Sequence, residues 1–219
     1  MSDPVDIYCE RLAPGLWVEP LNALTNLSFF VAAFFVYRLS KSAQGWDRRT
    51  QLLTFLLVLI GTGSSLFHTF ATKATMLADV FPILLFQIAF IWLYALDVMR
   101  LGPTKTSILF VLFMGCTVLA EMAPFSILNG SLSYAPALLF LSGFAVWHMK
   151  KAEKARLSLL LASLIFVLSL TFRSVDMSVC DALPIGTHFF WHILNGAVLF
   201  FSARAYILAR VSCYTGKTT

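Results

Sequence analysis

Apolar residues along this chain come in long unbroken runs separated by short polar punctuation. Seven such runs can be drawn, roughly Leu21–Leu39, Leu52–His68, Leu77–Val98, Thr106–Glu121, Leu132–Met149, Leu157–Phe172 and Thr187–Ala209. None alternates with period two, and most approach the about 17–25 residues that a helix needs to cross a bilayer. The pattern therefore predicts membrane-spanning helices, because strands would leave backbone groups unpaired in lipid. The fourth and sixth runs are short and must recruit flanking residues. Asp47-Arg48-Arg49, Gly102-Pro103, Pro124 with Asn129-Gly130, and Lys150–Arg156 punctuate the runs. No linker is long enough to separate domains and no repeat is visible. Residues 1–219 read as a single all-α, seven-helix integral membrane domain, with 1–20 an N-terminal segment and 211–219 a tail.

Composition agrees: 59% of residues are hydrophobic and only 12% charged, and the mean hydropathy is +0.82. A soluble domain carries about twice that charge. The net charge of +5 reports orientation rather than nucleic-acid binding. Of the 16 basic residues, 13 fall after runs one, three and five and at the end of run seven; the other side has only Arg11, Lys73 and Arg173. The positive-inside rule then puts the N-terminus outside the cytoplasm and the C-terminus inside, with an odd number of crossings. Met1–Pro20 is polar and acidic, unlike a cleavable signal peptide. Compact loops and the lack of a retention signal point to a bacterial inner membrane.

The candidate chemistry lies at one depth. His188 and His192 are one turn apart on one face of run seven. His68 closes run two and Asp79 opens run three, so sidedness brings all four to the outer rim. Intramembrane imidazoles are costly and need a partner; singly, each is better explained as a helix-packing residue. Three together form the ligand set of a catalytic zinc with an open position, though nitrogen donors also suit iron, copper or nickel. Asp79 is placed to take a proton from water or to bind the metal. Ser64, four residues before His68, can steady a developing oxyanion, with Ser65 the alternative. The remaining histidine of four, His148, lies at the inner end of run five beside Trp147 and reads as a wet interfacial residue. Arg173 reads as the structural partner of Asp176, Asp79 or Glu19. Cys116 reads as a small apolar residue, and Cys213 as a reduced thiol.

Ser64 and His68, Asp79 eleven residues on, then His188 and His192 resemble the alkaline ceramidases, within a seven-span superfamily of hydrolases that includes the adiponectin/progestin receptors. The resemblance covers essentially the whole chain. It implies zinc on His68, His188 and His192, Asp79 as general base, Ser64 on the oxyanion, and a ceramide-like membrane lipid as substrate. The N-terminal segment resembles the family's calcium-binding entry to the first span. This implies Ca²⁺ on Asp6, the Ile7 carbonyl, Glu10 and Glu19, with Leu12 standing where an asparagine is expected. It also implies a disulfide between Cys9 and Cys180, both on the outer side. The expected activity is zinc-dependent hydrolysis of a lipid amide. Its rivals are an ester- or phospholipid-cleaving enzyme on the same scaffold and a receptor-like protein in which zinc braces helices. Oligomeric state is not legible.

Overall fold

A computed structural model describes residues 3–13, 15–152 and 154–215. Among them are seven helices long and apolar enough to cross a membrane: α1 (Pro20–Ser42), α2 (Arg48–Phe70), α3 (Lys73–Val98), α4 (Gly102–Glu121), α5 (Ile127–Lys151), α6 (Ser158–Ser178) and α7 (His188–Ser212). No strand occurs among the described residues. Lys217 and the end of the tail lie outside the described residues, as does the side chain of Cys213.

Each helix packs on its neighbours in sequence, and α7 closes the ring against α1. Many large apolar side chains face outward, among them Phe34, Phe55, Leu112, Leu139 and Leu164. In a bilayer that surface needs no covering, so exposed leucine and phenylalanine are the expected lipid face.

The two short runs do recruit flanking residues. Pro103 is absorbed into the first turn of α4, where a missing N–H costs nothing. Gly102, just before it, takes the left-handed φ of +75°. α2 starts at a capping box, Asp47 with Thr50, and α3 at another, Thr72 with Thr75.

The end of the bundle remote from the N-terminal segment is tied by charge. Asp97 lies in a π-helical turn at the end of α3 and accepts from Arg49 and from the Tyr206 hydroxyl at 2.6 Å. Arg210 bonds Asp47 and, at 2.9 Å, Tyr206. His148 belongs to this end too, but it is not wet. It is fully buried, with Nδ1 at 2.5 Å from the Tyr94 hydroxyl and Nε2 at 3.0 Å from the Ala155 carbonyl. The turn after α5 folds back over the ring and supplies the acceptor that water was expected to provide.

Candidate metal centre

Three close approaches, two between helices and one at the loop before α7, build the site. Gly63 of α2 lies against α3 so tightly that a Cβ there would fall 1.9 Å from the Ala78 carbonyl oxygen. This contact sets Ser64 and His68 beside Asp79. Gly196 of α7 admits Ser28 of α1, whose carbonyl oxygen would be 3.0 Å from an added Cβ. The Ser28 hydroxyl donates to the His192 carbonyl at 2.8 Å. Gly186, at φ +63° before α7, leaves room for the Asp176 carboxylate and for Cys9.

The result brings His68, His188 and His192 together. All three are buried, and their ligand atoms lie within 4.8 Å of one another. Buried polar atoms normally find a partner, yet His68 Nε2, His188 Nδ1 and Asp79 Oδ1 are buried with none. Three such atoms in one place are costly unless a cation meets them. Three imidazoles and no thiolate are the donors of a zinc site that keeps a position open, so the residues fit the group.

Hydrogen bonds behind the ring nitrogens aim them. Glu19 Oε2 accepts from His68 Nδ1 at 2.5 Å, which leaves the Nε2 lone pair facing inward. Thr25 gives its proton to the Leu21 and Asn22 carbonyls, so its oxygen accepts from His192 Nδ1 at 3.0 Å. The ring of Tyr8 stacks on His188 with centroids 3.6 Å apart and closes the centre from the side of the N-terminal segment. Burial pushes the Tyr8 phenol well above the ordinary tyrosine range, so it stays neutral. Ser64 is 2% exposed and lies beside the Asp79 carboxylate.

Two of the acidic residues near the first span, Glu10 and Glu19, are bonded within the chain. Both oxygens of Glu10 accept backbone N–H groups at the start of α1, from Leu21 at 2.6 Å and Asn22 at 2.8 Å. Burial raises the Glu10 carboxyl above its ordinary value despite those bonds. Glu19 Oε1 accepts from Arg11 Nε at 2.6 Å. Burial pushes Glu19 upward, but the bonds from His68 and Arg11 outweigh it and hold the carboxyl below its usual value. Asp6 is exposed and Ile7 half-buried.

Cys9 and Cys180 are joined by a disulfide, with Cα atoms 5.2 Å apart. It holds the N-terminal segment against the loop before α7. Asp176 completes that clasp. One of its oxygens accepts from the backbone N–H of Thr187 at 2.6 Å and of His188 at 2.9 Å, and the other from Cys9 at 3.1 Å. Asp176 thus caps α7 and is not the partner of Arg173. Arg173 instead donates to the Asn129 carbonyl and to Ser131, with its guanidinium over the rings of Tyr134 and Trp191. In the sequence Asp176 and Arg173 are three residues apart, which suggested a pair; a left-handed stretch at Leu128–Gly130 brings a better acceptor to the arginine.

Tyr8, Thr25 and Asp176 carry no signal in the sequence that ties them to the histidines. Their partners lie far along the chain, and only packing makes them neighbours.

Below the histidines an apolar cavity enters the bundle. It is lined by Phe29, Phe86, Phe90, Leu141, Phe144, Phe166 and Trp191, with Gln87, Asn195 and Ser202 as polar points. Phe29 meets His192 edge-on, and Trp191 lies parallel to His188, so two residues that line the cavity also neighbour the histidines.

A search of curated proteins finds none that matches this chain. The family model described as Ceramidase matches residues 8–218, nearly the whole length. The histidine cluster, the seven spans and that match agree, and the chain belongs to the ceramidase family.

Proposed function

We propose that this protein is an intramembrane, zinc-dependent hydrolase that cleaves the amide of an N-acyl sphingoid base, releasing a fatty acid and the free base. The observation that carries the reading is the meeting of three buried imidazoles with Asp79 and Ser64, next to Phe29 and Trp191 of an apolar cavity. That geometry suits a substrate that never leaves the bilayer. Acyl chains occupy the cavity between Phe86, Phe144 and Trp191, and the amide lies level with the histidines. By the distribution of basic residues, this end of the bundle faces away from the cytoplasm.

His68, His188 and His192 would hold the metal, which when bound supplies Lewis acidity and brings the pKa of a water to about 7. The chain does the rest. Asp79 takes a proton from the attacking water as its oxygen bonds to the amide carbon. Ser64 donates to the carbonyl oxygen as negative charge builds there. The carbon–nitrogen bond then breaks, and Asp79 returns the proton to the departing amine. Tyr8 and the disulfide-held segment keep bulk water off the imidazoles, which strengthens each of these contacts.

Purified protein in detergent, given ceramide and an acyl-ester analogue of equal chain length, tests the proposal. Release of fatty acid from ceramide, lost in Asp79→Asn with metal retained, is the expected result. Cleavage of the ester alone would move the assignment to a lipid esterase.

A further inference from the structure

The family resemblance implies a calcium ion beside the first span, but the donors it needs are already committed. Calcium takes about six to eight oxygens at 2.3–2.6 Å. Both Glu10 oxygens cap α1. Both Glu19 oxygens are engaged, one by His68 and one by the Arg11 guanidinium. Asp6 is exposed, and Leu12, at 79% exposure, offers no side-chain oxygen. A dication close enough to bind Glu19 Oε1 would also press against the Arg11 nitrogen at 2.6 Å.

We infer that Arg11 is the resident cation of this segment and acts as a positioning residue for the metal centre, so that the protein needs no calcium. The inference rests on reading His68 as a metal ligand. Arg11 and Glu19 have side chains only 6% and 1% exposed. The ion pair is therefore shielded from screening by salt. Arg11 Nε donates to Glu19 Oε1, Glu19 Oε2 accepts from His68 Nδ1–H, and His68 Nε2 is presented inward. A carboxylate behind a ligating imidazole is a common way to orient it; here the carboxylate is in turn anchored by a guanidinium two residues from the disulfide. Charge that would otherwise come and go with an exchangeable ion is built into the chain. Arg11 Nη2 is buried without an acceptor, so the guanidinium is held chiefly through its bond to Glu19, and the two side chains stand or fall together.

Two measurements with separate readouts test this. Zinc-loaded wild-type protein is titrated with calcium chloride to about 1 mM, the range of weak natural calcium modules, by calorimetry and by melting temperature. No saturable heat and an unmoved melting temperature are expected; saturable calcium binding or a calcium-dependent rise would overturn the inference. Zinc affinity is then measured by chelator competition in Arg11→Gln and Arg11→Lys. Arg11→Gln should bind zinc about tenfold more weakly, with Arg11→Lys restoring much of the loss through its charge. Wild-type zinc affinity in a folded Arg11→Gln protein would refute the positioning role. If wild type binds no zinc at all, it is the metal reading that fails, and the calcium titration is then made on the metal-free protein, where saturable calcium binding still overturns the inference.

Discussion

Replacing Gly63 by alanine should separate chemistry from metal binding, because the missing Cβ at Gly63 lets α2 and α3 touch beside Asp79. The added Cβ would lie 1.9 Å from the Ala78 carbonyl oxygen, 2.7 Å from its carbon and 3.2 Å from the Asp79 nitrogen. All three neighbours are backbone atoms, so no side chain can swing away. Ordinary van der Waals contact begins near 3.4 Å, so the helices must move apart by roughly 1.5 Å. Overpacking of that kind costs about 1–3 kcal/mol of stability. The histidines stay together, since His68 remains on α2 facing α7, but Asp79 moves off with α3. A displacement near 1 Å in a reacting group can lower the rate about a hundredfold. Gly63→Ala should therefore retain zinc, melt earlier, and turn over ceramide about two orders of magnitude more slowly. Gly115→Ala and Gly143→Ala are the controls: nothing lies within 4 Å of a Cβ at either, and alanine there should be neutral or stabilising by about 0.5–1 kcal/mol. The assay is fatty-acid release from a fluorescent ceramide, with zinc content measured on the same samples. Full turnover by Gly63→Ala, or equal slowing in the controls, would refute the reasoning.

Other outcomes follow from single contacts. Thr25→Val removes the acceptor for His192 Nδ1 and should weaken zinc binding about tenfold, measured by chelator competition, with little change in melting temperature of the zinc-loaded protein. Asp176→Ala removes the cap of α7 and the tie to Cys9; about 1 kcal/mol is expected for the cap, read as a lower melting temperature, and unchanged melting would contradict the clasp. At the far end, burial raises Asp47, but its bonds to Arg210 and Thr50 outweigh this and hold the carboxyl below its ordinary value. A depressed carboxyl stabilises the fold above its unfolded pKa and ceases to do so as pH falls through the folded value. The melting-temperature gap between wild type and Asp47→Asn should thus be present at neutral pH and close below about pH 4.

Much of this architecture is legible in the sequence. Long apolar runs dictate helices in a bilayer whatever their partners, so the seven spans follow from hydropathy. The i, i+4 spacing of His188 and His192 is local, and sidedness extends it to His68 and Asp79. What hydropathy and spacing do not encode is the choice a buried polar group makes among distant partners. Glu19 and Asp176 are visible as acids near the rim, yet one of them turns a histidine ring and the other caps a helix. His148 sits among the aromatic and basic residues of a membrane interface, but the turn after α5 covers it. Arg11, in sequence only a stray charge on the outer side, lies against Glu19 although seven residues separate them. Each of these depends on how closely two helices or a loop can approach; for Asp176, Gly186 leaves the space that the carboxylate fills.

The central claim is that one metal on His68, His188 and His192 and the cleavage of a lipid amide are the same fact. It is tested most directly by measuring bound metal and fatty-acid release from ceramide on one preparation each of wild type and His188→Ala. The account predicts a single zinc per chain with hydrolysis in wild type, and neither in the variant. A folded, metal-free His188→Ala protein that hydrolyses ceramide at the wild-type rate would contradict it.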